Sequence, residues 1–182
     1  MGMKKIRRYF LTALILTSLS FSQSDKEELI DWKAGQKLSW SDYKGNPDPD
    51  SDAAALTATY LGIEYDISEK GLSWKIQCRF SKTRSWGRSR TDHILQHEQG
   101  HFDIAEIFAR KLNKKMSEYK FDKNSYQKDL RKIYESITTE KEKFQDQYDK
   151  ESDHSRNKEK QAEWTKKIAE MLSELKDLSQ YQ

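Results

Sequence analysis

The chain has 182 residues, enough for one domain, and its formal net charge of +3 arises from 33 basic and 30 acidic residues. Phosphate binding needs a clustered basic surface, so this near balance argues against a nucleic-acid-binding protein. Hydrophobic and charged residues each make up 35% of the chain. A core can therefore form only if the apolar side chains are concentrated on particular faces.

The first residues differ from the rest in composition. A basic stretch, "KKIRR" at residues 4–8, precedes an apolar run at residues 9–19, and small residues follow in "SFSQS". This order predicts a secretory signal peptide over residues 1–22. The apolar run is shorter than the roughly 20 residues that cross a bilayer, which disfavours a retained anchor. We therefore predict an exported protein, periplasmic or secreted, with no membrane attachment after cleavage and a single domain over residues 23–182.

Residues 32–90 have the short period and the residue types of β-strands. "ALTATYLGIEYDI" (55–67) and "LSWKIQCRF" (72–80) are rich in Thr, Tyr, Ile and Trp, and "SEKG" between them favours a hairpin turn. A small antiparallel sheet is predicted. Cys78, the single cysteine, is predicted to be a core residue. Core positions are also favoured over an exposed binding surface for four aromatic residues: Trp40, Tyr43, Trp74 and Trp86.

After Arg90 the period becomes that of helices. The first helix is predicted from about Asp92 to Tyr119, where "FDKNS" ends it. The second carries apolar residues on one face up to Tyr148, and the third follows "ESDHS". The sequence thus predicts an α+β fold: a small antiparallel β-sheet in the N-terminal half, followed by a helical part of three long helices at residues 91–182.

The first predicted helix contains "HEQGH", an H-E-x-x-H arrangement. Residues four apart lie on one helix face, so His97 and His101 can bind one ion, with Glu98 beside them. This spacing predicts two zinc ligands and a carboxylate that takes a proton from water, as in zincin-like metal helices. The alternative is a pair of hydrogen-bonded core histidines with Glu98 as their partner. Apolar residues on the same stripe predict that this face is buried, and burying two imidazoles and a carboxylate is costly unless they are paired or bind a metal.

A zinc site of this kind needs a third protein ligand. His93 is excluded because eight helical residues separate it from His101, a span of about 12 Å. If the first two helices form an antiparallel hairpin, "YDKESDHS" returns to the level of the motif. His154 is therefore the predicted third ligand. The alternatives are the carboxylates of Asp149, Glu151 and Asp153, with His154 then facing solvent.

These residues predict amide hydrolysis by a zinc-activated water. Zn²⁺ would bind His97, His101 and His154, and Glu98 would act as the general base. Tyr148 is the candidate second electrophile for the developing negative charge, and a core tyrosine at the helix interface is the alternative. Asp149 is also a candidate to orient an imidazole by accepting its other N–H.

Three stretches resemble the DUF922 family of secreted bacterial proteins: "LSWSDYKGNPDPDSDAAALTATY", "LQHEQGHFDIAEIFARKL" and "YDKESDHS" with "QAEWTKKI". The similarity covers roughly residues 32–172, and the block around the paired histidines is its most specific part. The family pattern has Thr and Gly on either side of this histidine, His154, and the present chain has Ser152 and Ser155 at those positions. The resemblance implies a zinc-dependent protease and names no substrate.

The predicted function is therefore a secreted or periplasmic zinc-dependent metallopeptidase acting on a peptide or protein. Two alternatives remain open: an exported zinc-binding protein without catalytic activity, and a helical interaction module of the cell envelope.

Overall fold

The computed structural model describes residues 27–69 and 71–181, and this part of the chain contains five strands followed by three long helices. The strands are β1 (Leu29–Asp31), β2 (Ala55–Leu56), β3 (Thr59–Ser68), β4 (Gly71–Ser81) and β5 (Trp86–Gly87). The helices are α1 (Asp92–Glu118), α2 (Tyr126–Ser152) and α3 (Lys158–Glu174). The predicted α+β fold is confirmed. The signal peptide predicted at residues 1–22 lies outside the described residues.

The strands form two small antiparallel sheets. One has the order β1-β4-β3, and β2 pairs with β5 in the other. The predicted strand at 55–67 is divided, because Ala58 leaves the ladder: its N–H donates to Ser85 Oγ (2.9 Å) and its carbonyl accepts from Ser81 N (2.9 Å). Residues before this break join β5, and residues after it form the hairpin with β4.

Helix α1 is the centre of the molecule. The side chain of Thr91 caps its first turn by accepting from Ile94 N (3.3 Å). The helix packs on β3 and β4 at one side and on α2 and α3 at the other. It is consequently buried around most of its circumference between His97 and Leu112, rather than along the single apolar stripe that its sequence predicts.

The predicted core residues of the β-rich part are inside. Cys78 is a buried free thiol, and Tyr43 and Trp86 are buried. Trp40 and Trp74 are partly buried and pack against the same core. The aromatic residues therefore belong to the core, as predicted. None of the helices in the described part of the chain is long and apolar enough to cross a membrane.

The connection from α2 to α3 has an unusual backbone. Asp153, His154 and Ser155 have φ values of 49°, 48° and 71°, so three consecutive non-glycine residues are left-handed. The turn is held by His154 N donating to Asp149 O (2.9 Å) and Asn157 N donating to Ser152 O (2.9 Å). This turn reverses the chain at the level of the H-E-x-x-H motif.

Candidate metal centre

The two motif histidines face each other on one side of α1. His97 is buried, with 4% of its surface exposed, and the side chain of His101 is 15% exposed. Their ring centroids are 4.8 Å apart, and their Nε2 atoms are separated by 3.2 Å. The four-residue spacing places both rings on one face of the helix, and the structure brings their Nε2 atoms to one point.

Asp149 on α2 completes a group of three. Its Oδ1 lies 3.0 Å from His97 Nε2 and 3.0 Å from His101 Nε2. The ligand atoms of the three residues all lie within 4.8 Å of one another, and the group could hold a metal ion. Two imidazole nitrogens and a carboxylate oxygen form a ligand set that zinc commonly takes.

Two glutamine side chains fix the orientation of the imidazoles. His97 Nδ1 is 2.7 Å from Gln161 Oε1, and His101 Nδ1 contacts Gln145 Oε1. An amide oxygen only accepts, so each Nδ1 carries the proton and each Nε2 presents a lone pair. Gln145 is held in turn, because its Nε2 donates to the His101 carbonyl (3.2 Å). This is the arrangement in which outer partners set the tautomer of metal-binding histidines.

While both imidazoles are neutral, the three converging atoms are therefore all acceptors. Burial opposes a charged imidazole at His101, but the hydrogen bond and negative charge of Asp149 outweigh it and raise the pKa of His101. Burial would raise the pKa of the Asp149 carboxyl, but hydrogen bonds that the protonated imidazoles of His101 and His97 donate to it hold that pKa well below the usual range. The cluster thus attracts positive charge, which a proton or a metal cation can supply.

Tyr148 lies beneath the histidines in the core. Its ring stacks on His97 at a centroid distance of 4.6 Å, and its surface is fully buried. Its hydroxyl donates to the His97 carbonyl (3.1 Å) and accepts from Gln161 Nε2 (2.6 Å). A Cβ on Gly100 would lie 2.4 Å from this hydroxyl, so only glycine fits there. This position corresponds to the second role left open by the sequence, a tyrosine closing the helix interface.

A cavity of about 770 Å³ opens onto the cluster. His97, Glu98, His101 and Asp149 all line it. Glu98 is 4% exposed, and in the described part of the chain its carboxylate makes no hydrogen bond or ion pair. No donor of the described residues therefore occupies the carboxylate of Glu98.

Residues 53–57, which include β2, also line the cavity. Arg88 N donates to the Ala54 carbonyl (2.8 Å), and the next residue pair in the register is Ala55 with Gly87. In an antiparallel ladder hydrogen-bonded and non-hydrogen-bonded pairs alternate, so the N–H and C=O of Ala55 point away from β5. Since β5 is the partner of β2 among the described strands, this second edge of β2 is free.

His154, the predicted third ligand, lies at the rim of the cavity. Its Nδ1 is 3.8 Å from Asp149 Oδ1, and 64% of its side chain is exposed. It is not part of the group of three, whose third position is taken by Asp149, one of the competing carboxylates. His93 is near the same turn, where its Nε2 contacts the Ser155 carbonyl.

The sequence did not reveal the glutamines or the role of Gly100. Glutamine at 145 and 161 has no motif, because its function depends on which helix lies opposite. The one available signal was helical register: an antiparallel hairpin places Gln145 at the level of the motif histidines.

Comparison with known proteins identifies the family of this chain. The model of the family DUF922, described as a bacterial protein of unknown function, matches residues 36–155. The match is about two thirds of the chain and includes all of the side chains that form the group of three. No curated protein matches the chain, and neither does any solved structure. The chain therefore belongs to the DUF922 family.

Proposed function

We propose that this protein is a zinc-dependent hydrolase that cleaves peptide bonds. One observation carries the proposal: the Nε2 atoms of His97 and His101 and the Oδ1 of Asp149 converge in a cavity that also contains the unpartnered carboxylate of Glu98. Three acceptors without a donor among them form a cation site, and the carboxylate beside them is the group that hydrolysis requires.

The ligand set favours a catalytic rather than a structural zinc site. Structural zinc sites have four protein ligands, whereas catalytic sites have three and leave one position open. Three ligands converge here, and the cavity gives access to them. This openness supports the enzyme over an exported protein that only stores or carries zinc.

Zinc, Glu98 and the two glutamines have separate roles in the proposed reaction. Bound zinc supplies Lewis acidity, which makes the attack of water on a carbonyl possible near neutral pH. Glu98 holds at its carboxylate the proton that leaves the attacking water and passes it to the departing amine. Gln145 and Gln161 keep the Nε2 lone pairs directed at the ion.

The free edge of β2 supports a peptide as the substrate. An extended chain can pair with the N–H and C=O of Ala55, as peptides do when they add a strand to an exposed sheet edge. Small side chains at residues 53–55 leave room for such a chain. The substrate backbone would then run past Glu98 and the histidine pair.

The decisive experiment compares the wild type with Glu98→Gln on a mixture of peptides, with zinc content measured in parallel. We expect cleavage by the wild type and at least a hundredfold loss in Glu98→Gln at equal zinc occupancy, because general-base catalysis contributes about 10²–10⁴-fold. Glu118→Gln, an exposed change on the same helix, is the matched control. Equal activity of Glu98→Gln and the wild type, or zinc binding without cleavage, would contradict the enzyme.

A second pair of variants identifies the third ligand. The convergence of atoms favours Asp149, whereas the sequence predicts His154. Asp149→Asn should therefore reduce zinc affinity far more than His154→Ala. The reverse order would restore the sequence-based assignment.

Tyr148 has a positioning role in this proposal, since its hydroxyl is bonded to the His97 carbonyl and to Gln161. Tyr148→Phe should lower zinc affinity and change the turnover number of the loaded enzyme little. A large loss of turnover at full zinc occupancy would instead support the predicted role as an electrophile.

Export of the protein is also proposed, on the basic-then-apolar order of residues 1–22. Cell fractionation with N-terminal sequencing of the purified protein tests it. We expect a chain outside the cytoplasm that begins at residue 23, and a cytoplasmic chain beginning at Met1 would contradict export.

A further inference from the structure

One cationic side chain in the cavity has no role in the proposed chemistry. Lys141, on α2, is half-buried and lines the same cavity as Glu98 and the group of three. In the described part of the chain its ammonium makes no ion pair and no hydrogen bond. The other ionisable residues lining the cavity are Asp52, Glu98, Asp149, His154 and Arg156.

The helix itself explains why Lys141 is unpaired. Its neighbours three and four residues away are neutral: Ile137, Thr138, Phe144 and Gln145. A partly desolvated ammonium without a counter-ion is unfavourable, and a carboxylate from a ligand would satisfy it. The position can therefore bind a negatively charged group that the described residues do not provide.

The spacing along α2 sets how far this group lies from the metal centre. Lys141 precedes Asp149 by eight residues, which is about 12 Å along the axis, and helical side chains lean towards the N-terminus. Lys141 is therefore too far away to contact a carbonyl under attack. A peptide in extended conformation covers about 3.3 Å per residue, so the distance corresponds to about three or four residues.

We propose that Lys141 is a specificity-determining residue that binds a carboxylate of the substrate about three or four residues from the bond that is cut. The carboxylate is that of an Asp or Glu side chain or of the substrate's C-terminus. The inference rests on the proposed function, because the cavity must be the substrate site. It goes further by defining the substrate class: extended peptides with a negative charge at this distance.

The test measures binding and does not depend on cleavage. Zinc-loaded Glu98→Gln protein is titrated into three fluorescently labelled pools of random decapeptides. One pool contains Asp and Glu and has amidated C-termini, the second has Asn and Gln in their place, and the third is the second with free C-termini. We expect the first or third pool to bind roughly tenfold more tightly than the second, the difference expected of one hydrogen-bonded ion pair. The pool that gains shows which carboxylate is bound.

Two further substitutions assign the effect to one side chain. In the Glu98→Gln background, Lys141→Gln should remove the preference. Lys141→Glu should transfer the preference to a fourth amidated pool, in which Lys and Arg replace Asp and Glu. Lys143→Gln, an exposed change of equal charge on the same helix, should leave the preference intact. Circular dichroism checks that each variant is folded.

Equal binding of all pools, no binding, or a preference that survives Lys141→Gln would overturn the inference. Cleavage by the wild type is measured separately. Cleavage without a charge preference contradicts the role of Lys141 alone, whereas a charge preference without cleavage contradicts the hydrolase alone.

Discussion

Helix α1 carries two buried polar clusters, of which only one contains a cationic side chain. The first contains His97 and His101 with Asp149, and it borders a cavity. The second lies further along the helix, where Arg110 Nε donates to Glu106 Oε1 (2.8 Å) and Tyr181 donates to the other oxygen of Glu106. The second cluster contains its own cation, and the first does not.

The surroundings of the second cluster make it complete. Arg110 also donates to the Leu172 carbonyl (2.6 Å), and its guanidinium lies 5.1 Å from the ring centroid of Trp32. Burial raises the pKa of Glu106, although the hydrogen bonds from Tyr181 and Arg110 act in the opposite direction. This cluster therefore joins α1, α3 and the C-terminal residues, and we assign it a purely structural role.

The comparison shows what distinguishes a candidate metal centre from a buried ion pair. Both are buried and both are hydrogen-bonded. In the ion pair each donor meets an acceptor, whereas the histidine cluster turns three acceptors towards one point and its proton donors towards glutamines. The ion pair satisfies its charged groups within the protein, whereas the histidine cluster leaves a position for a cation.

The largest expected change in stability follows the loss of the ion pair between Glu106 and Arg110. Glu106→Ala should lower the free energy of unfolding by about 3–5 kcal/mol, because it leaves the buried charge of Arg110 uncompensated. Chemical denaturation measures the change. Glu118→Ala, on the exposed side of the same helix, should change stability by less than about 0.5 kcal/mol. A small loss of stability in Glu106→Ala would contradict the structural role of the ion pair, and with it the distinction between the two clusters.

Zinc should stabilise the protein through the histidine cluster alone. At a free zinc concentration 100 times the dissociation constant, a ligand that binds only the folded state adds about 2.7 kcal/mol. Thermal melts with and without zinc should show this gain in the wild type and in Glu118→Ala, but not in His97→Ala. A gain of equal size in His97→Ala would show that zinc binds elsewhere.

The glutamine contacts should affect metal binding more than folding. Gln161→Leu removes the acceptor of His97 Nδ1–H, and loss of such an outer partner lowers metal affinity about 10–100-fold. Gln161→Glu keeps an acceptor oxygen and should retain most of the affinity. Gln147→Leu, on an exposed position of α2, is the control. Competition with a zinc chelator measures all three, and unchanged affinity in Gln161→Leu would contradict the orienting role.

The smallest effect concerns the turn after α2. Ser155 has φ of 71°, which is costly for a residue with a Cβ, so Ser155→Gly should raise the free energy of unfolding by about 0.5 kcal/mol. The gain is partly offset because glycine has more freedom in the unfolded chain. Differential scanning calorimetry measures it. A loss of stability would mean that the Ser155 side chain contributes packing that outweighs the backbone cost.

Much of the site was predictable because helical spacing is a local property. Residues 97 and 101 share a face in any α-helix, and the period of the sequence places a helix there with a start at Asp92. The short loop after residue 118 makes α1 and α2 antiparallel neighbours, which brings the end of α2 to the motif. The third position was harder, because a choice between Asp149 and His154 depends on side-chain direction within a single turn.

Short-range periodicity and chain length are enough to predict the order of strands and helices, the paired histidines and the nearness of the end of α2 to the motif. Which residues complete the cluster depends on tertiary packing. Burial of α1 on most sides, the glutamines behind the imidazoles, the free edge of β2 and the unpaired Lys141 all arise where two distant segments meet. Contacts of this kind depend on packing between faces, and no local pattern in a sequence encodes them.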